Sequence, residues 1–253
     1  MQWVKEFYTR QQEWLQLYTM DMQEHQRQLA RTVHEALGLD SQPVLELGAG
    51  GGQFAVALAQ LNYSVTAVEL VAANAEHGRR LAADAQPGTL TVLEADFFTV
   101  TLPQGHFAAI CYWDGFGLGS DTEQRQLLLR MANWLHPDGV VFMDVYTPWY
   151  WAAQADAELS IGSIKRRYRF DAEHCRMLDT WWPADQPHLA VTQSLRCYAP
   201  ADLERLLHGT ELSITQIVPG GAVDADGNYQ EQVPLQQAMS YRVQLRRTLI
   251  GGG

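Results

Sequence analysis

Pro43-Val44-Leu45-Glu46-Leu47-Gly48-Ala49-Gly50-Gly51-Gly52-Gln53 is a short apolar strand that meets an acid, then glycines at every second position, then a helix opening near Phe54. Without a Cβ, glycine lets the chain turn sharply and lets another group come close to the backbone. The first N–H groups of the helix that follows have no partner inside it and point at whatever lies before it. Open α/β sheets hold nucleoside-containing ligands this way, at the carboxyl ends of their strands. The stretch therefore predicts the first βα unit of a doubly wound fold.

Working outward, the chain alternates short apolar runs with longer amphipathic ones. Val44–Leu47, Ser64–Glu69, Leu90–Glu94, Phe107–Tyr112 and Val140–Tyr146 have strand composition, and Phe54–Leu61, Ala72–Ala85 and Thr122–Leu135 have helix composition. Such alternation implies a parallel sheet with helices on both faces. Asp121 suits the N-cap of the third helix, and Leu135-His136-Pro137-Asp138-Gly139 reads as the turn that stops it. Before this region, Gln11–Leu17 and Met20–Leu37 carry good helix formers, with Gly38 as C-cap. After it, Ile164–Phe170, Cys175–Trp182 and Leu189–Tyr198 suggest an inserted antiparallel meander. Pro200 then opens a helix, and Leu212–Val218 and Ser240–Leu249 close the chain as strands.

The expected fold is α/β: a Rossmann-like, seven-stranded, mostly parallel sheet with helices on both faces. It has N-terminal helices and an antiparallel β insertion after strand five. The expected organisation is a helical lid at 1–40, a ligand-binding core at 41–146, a β cap at 147–198 and completion of the core sheet at 199–253.

The 253 residues are 47% hydrophobic, enough for one sizeable core. A net charge of -11 argues against a nucleic-acid partner, which calls for a basic surface. No apolar run reaches the roughly 20 residues of a membrane span, and Met1–Glu6 lacks the pattern of a signal peptide. Cys111, Cys175 and Cys197 are odd in number and widely spaced, so reduced thiols and a cytoplasmic location are expected. The eight histidines form no ligand-type pair, and no metal site is expected. Gly251-Gly252-Gly253 carries no assigned meaning.

The glycine loop alone leaves the ligand open. A nicotinamide fingerprint wants Gly-x-Gly-x-x-Gly, and its third glycine falls on Gln53; no Gly-Lys-Ser/Thr follows for a P-loop. The second strand ends in Glu69, placed to accept hydrogen bonds from a ribose diol. The third ends in Glu94-Ala95-Asp96-Phe97, an acid for an adenine amino group and a ring to cover it. The fourth ends in Tyr112-Trp113-Asp114-Gly115-Phe116-Gly117.

With these in register, the chain resembles the class I S-adenosylmethionine-dependent methyltransferases over roughly 40–150, and its closing strands resemble that family's antiparallel hairpin. The resemblance implies S-adenosylmethionine as cofactor and S-adenosylhomocysteine as product. It implies cofactor contacts from Glu46, Gly48, Ala49, Gly50, Gly52, Glu69, Leu70, Asp96, Phe97 and Trp113. It leaves the acceptor unnamed. Tyr112-Trp113-Asp114-Gly115 stands where nucleic-acid amino methyltransferases often carry Asn/Asp-Pro-Pro-Tyr, so a small-molecule acceptor is expected, with nitrogen slightly favoured over oxygen.

Asp114 is the candidate catalytic residue, taking or orienting an acceptor proton; its alternative is capping the Gly115–Gly119 loop. Tyr8, Phe116, Tyr146, Trp149, Tyr150 and Arg167 are candidate substrate contacts. Rings at these positions serve equally as packing, and the basic run Lys165, Arg166, Arg167 and Arg169 reads either as a solvated strand face or as supplying one arginine to a substrate carboxylate. Tyr8 and Tyr18 either close over the cofactor or pack in the core. Two other functions stay open: a nicotinamide-dependent oxidoreductase, and a cofactor-binding module without transfer or with a regulatory role. A protein side chain remains open as acceptor, as does a homodimer through the insertion's strand edges.

Overall fold

The structure, a computed structural model, describes residues 2–38, 41–224 and 227–248. Its elements run in order α1 (Gln2–Leu15), α2 (Glu24–Leu37), β1 (Pro43–Leu47), α3 (Gln53–Ala59), β2 (Ser64–Glu69), α4 (Ala72–Leu81), β3 (Thr89–Glu94), β4 (Phe107–Phe116), α5 (Asp121–Trp134) and β5 (Leu135–Tyr146). They continue with α6 (Pro148–Ala153), β6 (Glu158–Ile161), β7 (Ile164–Asp171), β8 (Arg176–Pro183), β9 (Val191–Arg196), α7 (Pro200–Leu207), β10 (Leu212–Pro219), β11 (Ala222–Val223), β12 (Tyr229–Gln230) and β13 (Ser240–Arg247).

Seven strands form the main sheet in the order β10-β13-β5-β4-β1-β2-β3. β13 runs antiparallel to both its neighbours, while the pairs from β5 to β3 are parallel. This is the mostly parallel, Rossmann-like sheet expected. Strands buried on both faces read as unbroken apolar runs, and side-chain alternation divides them between two layers. Leu45, Leu47, Ile110, Tyr112, Val141 and Met143 pack toward α5 and α7. Val44, Ala67, Ala109, Cys111 and Phe142 pack toward α2 and α3. Burying apolar area at about 25 cal/mol per Å² makes these two layers the main stabilising term.

A separate four-stranded sheet, β6-β7-β8-β9, follows β5 and is the expected antiparallel insertion. The hairpin β11–β12 and the short α6 and β6 were not foreseen from the sequence. Among the described residues, no helix is long and apolar enough to cross a membrane. Leu249 and the terminal glycines lie outside the described residues.

Three local expectations are corrected. The N-cap of α5 is Ser120, whose hydroxyl accepts from the Glu123 N–H while the Glu123 side chain accepts from the Ser120 N–H. This reciprocal box satisfies two helix-end donors; Asp121 instead accepts from the Tyr198 hydroxyl at 2.8 Å. The segment 135–139 is an irregularity inside β5: Phe107 pairs with Leu135 and Ala109 with Val140, so the chain bulges out and returns to the ladder. The N-terminal helices break between Leu15 and Glu24, with Gln16 in the left-handed region at φ 53°. Gly38, at φ 65°, ends α2 as the C-cap expected of it.

Candidate active site at the carboxyl ends of the strands

Register brings the motif residues together. Leu47 pairs with both Val68 and Tyr112, and Glu69 pairs with Glu94, so strands β1 to β4 end side by side. A cavity of about 730 Å³, counting its open mouth, lies across these ends and is lined by Gly48, Gly50, Glu69, Leu70, Asp96, Phe97, Trp113 and Asp114 from the sheet side. Val4, Tyr8 and Tyr18 cover it from the N-terminal segment.

The glycines have different tasks. Gly48, at φ 66°, faces the cavity, and a Cβ there would meet only the rings of Phe97 and Tyr112 at 3.8 Å. At Gly51 a Cβ would fall 1.5 Å from the Tyr18 carbonyl oxygen, and at Gly50 it would lie 2.9 Å from the Tyr18 ring. At Gly52 it would lie 2.9 Å from the Gly78 backbone. Three of the four glycines therefore accommodate the protein's own chain: the N-terminal segment seats on the loop, and α3 packs against α4. Gln53 reinforces the seating, since its side-chain amide donates to the carbonyls of Tyr18 and Met20 at 2.9 and 2.8 Å. The Tyr18 hydroxyl donates to Gln11 at 2.8 Å, and the Tyr8 hydroxyl accepts from Gln193 of β9 at 2.6 Å.

Glu69 is buried and organises the loop: its two carboxylate oxygens accept from the N–H groups of Gly50 and Val71, each at 2.8 Å. Burial pushes its carboxyl above the ordinary range, and those hydrogen bonds oppose the shift. Glu46, 3% exposed, lies on the α3 face of β1 beneath the loop and does not line the cavity. One of its oxygens has no partner among the described residues. Burial first, and the nearby Glu69 second, push its carboxyl well up. Ala49 and Gly52 belong to the turn without lining the cavity. Asp96 turns the chain after β3, accepting from the Phe98 N–H at 2.8 Å, and Phe97 meets Tyr112 edge to face at 5.2 Å.

Asp114 stands where β4 leaves its ladder. Tyr112 pairs with Met143 but Phe116 with Val145, a bulge that frees the residues between them. At φ 51° Asp114 is left-handed, a region that aspartate tolerates better than most side chains. Asp114 lines the cavity and keeps an exposed surface, while the residues on either side of the bulge, Tyr112 and Phe116, are buried. Desolvation raises its carboxyl from 3.8 to about 6, against the pull of a hydrogen bond donated by the Tyr146 hydroxyl.

Tyr146 thus reaches the site through Asp114, without lining the cavity. The other substrate candidates stand apart from it. Phe116 is buried in the core against Tyr112 and Tyr198. Trp149 donates to the Leu235 carbonyl, and the Tyr150 hydroxyl accepts from the Val223 N–H. Arg167 is on the outer face of β7, paired with Glu158 and stacked on Trp182 at 5.6 Å. Tyr18 joins Tyr8 in lining the cavity. Asn74 was missed: it lines the cavity from the first turn of α4, is 1% exposed, and its side-chain oxygen has no partner among the described residues. The signal available was an amide in the turn after Glu69. No cluster of metal-ligating side chains occurs among the described residues.

Residues 44–139 match the family model described as a methyltransferase domain. No curated protein matches the chain. Among solved structures, the CcbJ methyltransferase of Streptomyces caelestis is 18% identical, with a TM-score of 0.69 and coverage of 88% of this chain and 89% of its own. An S-adenosylmethionine-dependent methyltransferase of Clostridium acetobutylicum is 13% identical, with a TM-score of 0.71 and coverage of 96% and 98%. The glycopeptide N-methyltransferase MtfA, whose structures include complexes with S-adenosylmethionine and S-adenosylhomocysteine, is 20% identical in one of its structures, with a TM-score of 0.58 and coverage of 88% and 90%. These likenesses extend over both the sheet and its insertion.

Proposed function

We propose, from the premise that residues 44–139 are a methyltransferase domain on the class I fold, that this chain moves a methyl group from S-adenosylmethionine to a small-molecule acceptor, an amine first. The observation that carries the reading is Asp114, lifted into the cavity by the bulge in β4 and held by Tyr146.

The residues present suit the cofactor. Gly48 leaves open space beside Phe97 and Tyr112. Glu69, Asp96, Asn74 and the unpartnered oxygen of Glu46 make the region under and around the cavity acidic and rich in acceptors, which favours a cationic, hydroxyl-bearing ligand. Glu69 and Asp96 would hold its ribose and adenine, Phe97 and Leu70 would cover the ring, and Gly48 would approach its amino-acid part. When bound, S-adenosylmethionine supplies a methyl group already activated on a sulfonium. The protein's remaining work is alignment of donor and acceptor and exclusion of water. Val4, Tyr8 and Tyr18 do the second by covering the cavity. Asp114 does the first, accepting a hydrogen bond from the acceptor and, above about pH 6, the proton it loses.

Nitrogen is favoured because an anionic carboxylate beside Tyr8, Trp113 and Tyr146 suits a cationic or neutral amine. The acidic composition supports a partner other than nucleic acid. The exposed edge of β6, with Leu159 and Ile161 exposed, suits pairing with a second copy, and a monomer by light scattering would remove that suggestion. The test of the activity is transfer of a labelled methyl from S-adenosylmethionine across a panel of amines, phenols and acids. Transfer to an amine, reduced by Asp114→Asn, is expected; label found only on phenols or on protein would overturn the acceptor assignment.

A further inference from the structure

The sheet β6-β7-β8-β9 has one face turned inward, toward α1 and the cavity cover, and its strand alternation sorts the side chains. On β7, Ile164, Arg166 and Tyr168 alternate with the outward Lys165, Arg167 and Arg169; on β8, Met177, Asp179 and Trp181 are buried while Leu178, Thr180 and Trp182 are less so. β9 adds Gln193 and Leu195 to the buried side. The inward face is therefore apolar apart from Arg166, Asp179 and Gln193, and cross-strand register groups them. Tyr168 opposes Asp179, Asp179 opposes Gln193, and Arg166 opposes Trp181.

Arg166 is held as a rigid fork. Its Nε and Nη2 each donate to Asp179 at 2.8 Å, and its guanidinium lies 4.5 Å from the Tyr168 ring centroid and 4.6 Å from that of Trp181. Asp179 is 1% exposed in its side chain, whereas Arg166 keeps 24%. One edge of the guanidinium is thus spent on Asp179. Nη1 has no protein partner among the described residues. A buried ion pair is weak evidence for stability, since apolar residues of the same volume often serve as well. This one leaves two or more N–H donors unused. The pair does not itself line the cavity, but a chain of rings ties it to the site: Tyr168 meets Trp151 at 5.0 Å, Trp151 meets Tyr146 at 5.3 Å, and Tyr146 holds Asp114. The pair also adjoins Gln193, which holds the cavity-lining Tyr8.

We propose that Arg166 anchors a carboxylate of the acceptor, so that the acceptor carries both an amine for Asp114 and an acid for Arg166. The free guanidinium edge matches a carboxylate's two oxygens, and the Tyr168–Trp181 stack with the Asp179 fork fixes its direction. The proposal rests on the assignment of Asp114 to the acceptor side. It moves the expected arginine contact from Arg167, which is outside, to its neighbour.

The test uses the full chain loaded with S-adenosylhomocysteine and three probes: L-phenylalanine, L-phenylalaninamide and phenethylamine. Binding is followed by saturation-transfer NMR and titration. The carboxylate probe is expected to bind at least about tenfold more tightly than its amide, the scale of a charged hydrogen bond. Arg166→Lys keeps a charge for Asp179 but loses the fork, and is expected to bring the two within about twofold. Arg166→Gln/Asp179→Asn, which removes the pair together, is expected to do the same. Equal binding of acid and amide in the unaltered protein, no binding by the acid, or a preference that survives in both variants would overturn the proposal. Titration with S-adenosylhomocysteine beforehand reads the methyl-transfer assignment separately: failure there with a carboxylate preference that still tracks Arg166 would sink the first and leave the anion site.

Discussion

Gln53→Ala isolates what seats the N-terminal segment on the glycine loop. Gln53 is buried in the first turn of α3, and its amide donates to the Tyr18 and Met20 carbonyls at 2.9 and 2.8 Å. Alanine is the better helix former, so α3 itself should not suffer. Each lost hydrogen bond costs about 1 kcal/mol net, so local opening of 16–22 should become easier by about 2 kcal/mol, or roughly 30-fold in population. Gly51→Ala should open the same segment by another route, because its Cβ would fall 1.5 Å from the Tyr18 carbonyl oxygen. Amide hydrogen exchange, followed by peptide, is the assay. Faster exchange is expected in peptides covering 2–22, with the strands β1, β4 and β5 unchanged. Unchanged exchange at 16–22 in both variants would refute the seating. Equal acceleration throughout would mean that Gln53 supports the whole core instead.

Four further outcomes follow from the site. In kcat/KM against pH, activity should rise through about 6 as Asp114 loses its proton, and Asp114→Asn should flatten that limb while S-adenosylhomocysteine binding persists. A folded-state carboxyl raised above its ordinary value favours the protein at low pH and loses that contribution as pH rises through about 6. Asp114→Asn should accordingly gain more stability at pH 8 than at pH 5 in chemical denaturation. Tyr146→Phe removes the hydrogen bond that lowers the Asp114 pKa, so the activity limb should move to higher pH; a limb that stays in place would remove Tyr146 from the site. Glu69→Gln should weaken S-adenosylhomocysteine binding by about tenfold or more, since it alters both the proposed ribose contact and the acceptor for the Gly50 and Val71 amides; unchanged affinity by titration would withdraw the ribose contact.

Much of the sheet was legible because parallel strands advertise themselves. Val44–Leu47, Ser64–Glu69 and Phe107–Tyr112 are apolar on both sides and separated by helices of the right length, which leaves few topologies. Glu69, Asp96 and Asp114 could be placed beside the cavity for the same reason: each stands at or near the carboxyl end of a strand, and those ends meet along one line. Less of the insertion could be read. A two-residue period shows that Arg166 and Arg167 face opposite ways but not which of them faces inward; the structure puts Arg166 on the inner face with Asp179 and Arg167 on the outer face with Glu158. Phe116 and Trp149 are aromatic near the motif, yet core packing and the Leu235 carbonyl claim them. The hardest feature was Tyr18 seated on Gly50 and Gly51, a contact between segments more than 30 residues apart for which the local pattern holds no signal. Glycines read as room for a ligand turned out in part to be room for the chain itself.

The most direct test of the central claim is calorimetric titration of the protein with S-adenosylmethionine and, as control, with NADH. Saturable binding of the first alone, near micromolar and so about -8 kcal/mol, is expected. Binding of NADH in preference, or no binding of S-adenosylmethionine, would contradict the assignment of the cavity and of every residue placed around it.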